Sequence, residues 1–233
     1  MKTILVTGAS RGIGRATTLA LSEADAPFER LVLVGRASSA FEESVAEAKA
    51  AAAGKDIVAI EADLDDPEIV TDIFAQLDAQ GIKLHAIVNN AGFAKPTSLN
   101  ETRHEDFERS MRINVYSPFR IIQAAVVQNH PLEQILNIAS TAGINGRAGW
   151  LSYSTSKAAM INMSEVLSDE LKPYGIDVIC LSPGRCATDL RRTLAPDEDP
   201  STIMQPEQVA EIIKFMMSDT GKLLHSQNLV VRT

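Results

Sequence analysis

A chain of 233 residues with 45% hydrophobic side chains is long enough to bury a full-sized core within one α/β domain. Its 22 basic and 30 acidic side chains leave a net charge of -8, which argues against a polyanionic partner such as nucleic acid. No apolar run approaches the ~20 residues that span a bilayer, so no membrane partner is expected.

The N-terminal "MKTILVTG" is too short in its apolar part for a signal peptide and reads as a first strand. It leads through "GASRGIG" into a helix from about Gly12 to Ala24. "LVLVG" (31–35) is a second strand, followed by a helix over "FEESVAEAKAAAAG" closed by Gly54. "IVAIEAD" precedes "PEIVTDIFAQLDAQG", a helix with Pro67 in its first turn and Gly81 at its end. "LHAIVNNAG" leads to a long helix at roughly 103–128, and "EQILNIAS" to another at roughly 152–172. "IDVICLSPG" runs into a looser stretch, "PEQVAEIIKFMMSD" makes a last helix, and "NLVV" is a final strand.

Seven strand candidates thus alternate with helices. The strands are continuous apolar runs, which predicts burial on both faces. The pattern gives a Rossmann-like, doubly wound parallel sheet with helices on both faces. No repeat or low-complexity linker divides residues 1–233, so a single domain is expected. Residues 189–203, "DLRRTLAPDEDPSTI", are the one polar, proline-bearing stretch long enough for a mobile substrate loop.

In such a sheet, ligands sit beyond the carboxyl ends of the strands. Two chemistries fit "TGASRGIG" there. Gly8-Ala9-Ser10-Arg11-Gly12 matches the G-x-S-x-G nucleophile elbow of serine hydrolases, with His225 formally available. That short motif arises easily by chance, lies on the first strand rather than a central one, and lacks an "HGGG" oxyanion partner. Alternatively, Gly8 permits a tight turn, Gly12 lets the backbone approach a pyrophosphate, and Gly14 lets the first helix pack close on the sheet. The spacing G-x-x-x-G-x-G departs from the common G-x-G-x-x-G.

"TGASRGIG", "NNAG" (89–92), Ser140, "YSTSK" (153–157) and "PGRCATD" (183–189) occur in the order typical of short-chain dehydrogenases/reductases. From residue 3 to about 217 the chain resembles that family. The resemblance implies an enzyme that interconverts a small-molecule carbonyl compound and its alcohol by hydride transfer. It makes Tyr153 the general acid/base. Lys157 would lower the Tyr153 pKa and hold the nicotinamide ribose. Ser140 would bond the substrate oxygen, and Asn114 would hold a water of the proton relay. For Asn114, a helix-kink or capping role is the plainer alternative. A tyrosine at its ordinary pKa of about 10 is a poor base at neutral pH, and a nearby ammonium favours tyrosinate.

For the cofactor, the resemblance implies a phosphate turn of Gly8, Ser10, Arg11, Gly12, Ile13 and Gly14. Asp63 and Leu64 would meet the adenine. Asp63 is equally suited to a turn or N-cap before Pro67. Asn90, Ala91 and Gly92 would pass under the ribose. Pro183, Gly184 and Thr188 would contact the carboxamide, alongside Tyr153 and Lys157. Where an acid usually reads the ribose 2′-hydroxyl, the chain has Gly35 and then Arg36, with Arg11 nearby. Two guanidinium groups suit a 2′-phosphate, so NADP(H) is expected, acting mainly as a reductant.

Phe93, Lys95, Asn145, Arg147, Trp150, Arg185 and Cys186 flank the motifs as candidate pocket residues. Lys95, Arg147 and Arg185 hint at anionic substrates such as acyl phosphopantetheine groups. Surface solvation explains them equally well. Cys180 and Cys186 suggest no disulfide framework and fit a reducing cytoplasm. His85, His104, His130 and His225 lack metal-ligand spacing, so no metal is expected. The ending "LLHSQNLVVRT" departs from the family's usual C-terminal run and favours a homodimer, formed through helices 103–128 and 152–172, over a tetramer. The competing class is a non-enzymatic NADP(H)-binding sensor of the same fold. Such proteins commonly lose the Tyr or the Lys.

Overall fold

The computed structural model describes residues 1–52, 54–224 and 228–232. Among the described residues seven parallel strands are present: β1 (Thr3–Thr7), β2 (Arg30–Gly35), β3 (Asp56–Glu61), β4 (Ala86–Asn89), β5 (Gln134–Ile138), β6 (Asp177–Pro183) and β7 (Asn228–Val231). Their order is β3-β2-β1-β4-β5-β6-β7. The chain builds outward from β1 to β3, then returns to lay β4 on the other side of β1. That reversal opens a crevice beyond the carboxyl ends of β1 and β4.

Successive strand residues point to opposite faces, which explains two separate cores. Ile4, Val6, Leu31 and Leu33 pack against Leu21, Phe41, Ile213 and Met216 on one side. These come from α1 (Gly12–Ser22), α2 (Ser39–Ala51) and α9 (Pro206–Met216). Leu5, Val32 and Val34 pack against Ile73, Phe74, Leu77 and Ile121 on the other. These belong to α3 (Ile69–Ala79) and α5 (Ser117–Val127). Each fully buried Leu, Ile or Phe stabilises by about 1.5–3 kcal/mol relative to exposure. Burial on both faces holds for the central strands. It fails at the two edges: β3 and β7 are mostly half-buried or exposed.

The expected helix at 103–128 is interrupted. α4 (His104–Met111) and α5 flank a π-turn, Arg112–Tyr116, with Asn114 at its centre. Pro118 supplies the reason. It has no N–H for the carbonyl four residues back, which belongs to Asn114, and its ring would clash there. A widened turn relieves both. Residues 189–203, the expected substrate loop, carry local structure of their own. The stretch holds a short helix, α8 (Asp189–Leu194), capped by Thr188, and a 3-10 turn at Pro200–Thr202 capped by Asp199. A two-bond ion pair between Arg191 and Glu198 ties the segment together. The remaining helices are α6 (Thr141–Ile144) and α7 (Leu151–Leu171). Among the described residues no helix is long and apolar enough to cross a membrane.

Candidate active site

A cleft of about 460 Å³ follows the carboxyl edge of the sheet, within the usual size range of small-molecule sites. All the residues expected to bind the cofactor line it, as do Ser140, Tyr153 and Lys157.

The end nearest β1–β3 is shaped by absent side chains. Gly8 and Gly12 have φ of 67° and 55°, left-handed values that favour glycine. A Cβ on Gly14 would lie 2.0 Å from the Gly8 carbonyl oxygen and 2.3 Å from Asn90 Nδ2. The α1 N-terminus therefore approaches the turn as closely as backbone allows. The other wall is pinned by Thr7, whose Oγ1 accepts from the N–H groups of Asn90 and Ala91, both at 3.0 Å. Asn90 Nδ2 donates to the carbonyls of Thr7 and Gly8. Thr7 lay inside the quoted motif, but only its buried partners reveal this task. Such a cradle of backbone N–H groups at a helix N-terminus suits a pyrophosphate. Ser10 lines it, and its hydroxyl bonds no histidine among the described residues.

Gly35 has a steric reason as well. A Cβ there would lie 2.5 Å from the Phe41 ring, so no acidic side chain fits. Arg36 is exposed at the same corner and, with Ser10, Arg11 and Ser38, borders an adjoining recess. Arg11 faces Asp189 at 3.6 Å, but both are more than half exposed, so the pair is weak. Asp63 Oδ1 accepts from the Asp65 N–H, the turn role foreseen as its plainer reading. α3 starts at Ile69, two residues after Pro67.

The opposite end carries the titratable groups. Ser140 caps α6, accepting from the Ala142 N–H at 3.1 Å. Gly143 lets α6 lie against α7, since a Cβ there would be 2.5 Å from the Lys157 carbonyl carbon. That contact, unnoticed in the sequence, seats Ser140 beside Tyr153. Tyr153 is 6% exposed. Burial pushes its phenol above 10, while the Ser140 hydroxyl and the Arg191 charge pull it down. Lys157 Nζ donates to the Ile138 carbonyl at 2.7 Å and lies 6.0 Å from the Tyr153 ring centroid. Burial lowers the ammonium to about 8. The expected lowering of the Tyr153 pKa by Lys157 is therefore not what dominates in the protein alone: desolvation works on both groups against their charged forms. Lys157 retains two further N–H donors for a ligand.

Asn114 does not line the cleft. It is fully buried, and its amide is occupied by protein: Oδ1 accepts from the Phe93 N–H at 2.8 Å, and Nδ2 donates to the Phe93 carbonyl and to Ser156 Oγ. It clamps the loop after β4 to α7, close to the kink role weighed for it.

Phe93, Arg147, Trp150, Arg185 and Cys186 line the cleft as expected; Lys95 and Asn145 do not. Lys95 is held by Asp106 at 2.7 Å. Burial pushes the Cys186 thiol up to about 11, so it stays protonated at neutral pH. His85 and His130 accept backbone N–H groups from Thr3 and Leu84, and burial lowers His130 to about 4. His225 lies outside the described residues. Among the described residues no cluster has metal-binding composition.

The family model for short chain dehydrogenases matches residues 2–199. The chain belongs to that family. A short-chain dehydrogenase is an oxidoreductase, and its relatives are consistent with that. A 3-oxoacyl-[acyl-carrier-protein] reductase of Synechocystis is 31% identical, over 92% of this chain and 88% of the relative. One from Escherichia coli is 29% identical, over 96% and 95%. A solved short chain dehydrogenase from Burkholderia cenocepacia, in complex with NADP, has a TM-score of 0.86 at 29% identity, covering 99% of this chain and 96% of that one. In this short-chain dehydrogenase the C-terminal edge strand is tied to the cleft. There the Gly184 N–H donates to the Val231 carbonyl and Ser182 Oγ to Asn228 Oδ1, so the short β7 pins the turn after β6.

Proposed function

We propose that the protein is an NADP(H)-dependent reductase of a small carbonyl compound. The observation that carries this is the convergence of Ser140, Tyr153 and Lys157 at one end of a cleft whose other end is a glycine cradle bordered by Arg36. Gly8, Ser10, Arg11, Gly12, Ile13 and Gly14 would hold the pyrophosphate, and Arg36 a 2′-phosphate by charge-assisted bonds. Asp63 and Leu64 would meet the adenine, and Asn90, Ala91 and Gly92 the ribose. Pro183, Gly184 and Thr188 would hold the carboxamide. The cofactor, when bound, supplies the electron pair that reduces the carbonyl carbon.

The chain's own residues handle the oxygen. Ser140 donates a hydrogen bond to it and fixes its position. Tyr153, kept protonated by burial, donates its phenolic proton as negative charge grows on that oxygen. The Lys157 ammonium, fixed by the Ile138 carbonyl, holds ribose hydroxyls with its free donors and stabilises the resulting tyrosinate. Asn114 positions Phe93 and α7 rather than touching substrate.

The NADP-complexed neighbour and the reductase relatives support this reading. A spectrophotometric screen of carbonyl compounds against NADPH consumption tests it: saturable oxidation with at least one ketone or aldehyde is expected, and none across the panel would contradict it. Exposed Tyr116, Phe119 and Val127, with Leu151 and Val166 on α7, support a homodimer through the two long helical segments.

A further inference from the structure

The carbonyl end of the cleft holds positive charge that the proposed reaction does not use. Arg147, Arg185 and Arg191 line it, and among the described residues the one carboxylate ion-paired with any of them is Glu198; Asp189 also lines the cleft but pairs with Arg11 and Arg192. Glu198 takes Arg191 through two hydrogen bonds and Arg185 at 3.3 Å. Arg147 has no acidic partner among the described residues; its guanidinium lies over the face of Trp150, 5.2 Å from the ring centroid. Arg191 lies against the same indole at 5.5 Å. Its Nε and Nη2 are committed to Glu198, whereas Nη1 makes no bond among the described residues. Among the described residues three guanidinium groups thus share one paired carboxylate, in a protein whose net charge is -8.

The setting fixes where an anion would lie relative to the chemistry. Trp150 meets Tyr153 edge-on, 6.3 Å between centroids, and the Arg191 charge is felt by the Tyr153 phenol. Leu190 and Leu194 of α8 join Trp150 and Tyr153 in one apolar cluster. The pocket beside Tyr153 is therefore an apolar wall ending in two cations. Glu198 holds one of those cations in a fixed orientation. Such pre-organised guanidinium groups favour planar carboxylates.

The geometry points to a carboxylate subsite formed by Arg147 and Arg191 against Trp150, so that the carbonyl substrate is an oxo acid whose carboxylate lies a few carbons from the reacting carbonyl. This rests on the reductase reading above for the reaction, while the subsite itself is defined without it.

Trp150 is the single tryptophan and reports on the subsite directly. The full chain, saturated with NADP+, is titrated with hexanoate and with hexanamide while its fluorescence is followed. Hexanoate is expected to give a saturable change with an affinity at least tenfold that of hexanamide, and Arg147→Met to remove most of that difference. With NADPH, 3-oxohexanoate is expected to show a kcat/KM at least tenfold above its methyl ester. Arg147→Met should lower the value for the acid at least fivefold more than for the ester. Equal responses to acid and neutral analogue in both measurements would overturn the subsite and leave the reductase standing. So would equal use of acid and ester together with a preference for a 3-oxoacyl phosphopantetheine thioester over its neutral N-acetylcysteamine counterpart, since the anion would then be a carrier phosphate. Selective titration by hexanoate in a protein that reduces no carbonyl compound would uphold the subsite and contradict the reductase.

Discussion

At the glycine-rich end of the cleft, the shape is set by backbone. Gly8, Gly12, Gly14 and Gly35 leave room that a side chain would fill, and residues 8–14 supply the turn at its centre. At the carbonyl end, the walls are long side chains from four segments: Ser140 after β5, Arg147 to Lys157 around the start of α7, Arg185 after β6, and Arg191 on α8. The first construction fixes a shape that a single methyl group destroys. The second fixes charge and orientation through pairs such as Arg191–Glu198, which can be altered one at a time. Substitutions at the two ends should therefore fail differently: for every substrate alike at the first, selectively at the second.

The sharpest break is Gly14→Ala. Its Cβ meets the Gly8 carbonyl at 2.0 Å, and backbone cannot step aside cheaply. We expect a loss of about 3 kcal/mol in denaturant unfolding, at the upper end of overpacking costs, and NADPH affinity reduced by more than a hundredfold in direct titration. Wild-type affinity in this variant would mean that the cradle does not hold the cofactor.

Lys157 allows the opposite construction to be probed through pH. Its folded value of about 8 lies below the ordinary 10.5, so between them the unfolded chain carries a proton that the folded chain does not. Stability then rises with pH across that window, because a buried charge is being relieved. Relative to Lys157→Met, the parent should gain about 3 kcal/mol between pH 8 and pH 10.5. Tyr153 is held above 10 chiefly by burial, so it adds little to the difference between pH 8 and pH 10. A constant difference across the window would show that Lys157 titrates normally.

Arg36→Asp acts on charge rather than shape, at the rim of the glycine end. One or two charge-assisted bonds are lost, so NADPH affinity should fall by about tenfold to a hundredfold while NADH affinity does not. Parallel loss for both cofactors would remove Arg36 from any role in choosing between them. The smallest effect is expected from Glu198→Gln, which loosens Arg191 without touching the glycine turn. It should raise KM for the carbonyl substrate by about fivefold and leave the NADPH dissociation constant unchanged. An equal change in both would mean that α8 braces the whole cleft.

The contrast also explains what the sequence made legible. Continuous apolar runs announced all seven strands, the glycine turn and Ser140 could be named because each closely follows its strand, and Tyr153 and Lys157 because their four-residue spacing puts them on one face of a helix. Edge exposure of β3 and β7 was hidden, since burial depends on neighbours that strand composition does not specify. Pro118 carried a signal for the π-turn that the helical periodicity around it masked. The short helix within residues 189–203 was not legible because the Arg191–Glu198 pair that ties it down joins polar residues, which leave no periodic trace. The place of Arg191 is hidden for the same reason: it reaches the Trp150 ring and the field around Tyr153 only after α7 and α8 have packed. Asn114 was found, but its enclosure by Phe93 and Ser156 is a tertiary fact.

The central claim is that Tyr153 delivers the proton in a cleft that holds NADPH independently of it. Tyr153→Phe keeps the ring against Trp150 and removes only the phenolic oxygen. NADPH titration and carbonyl reduction, measured on the same variant preparation, separate the two parts of the claim. The expected result is a cofactor dissociation constant within about threefold of the parent, with turnover lower by at least ~100-fold. Turnover equal to that of the parent, with chemistry shown to be rate-limiting, would contradict the account.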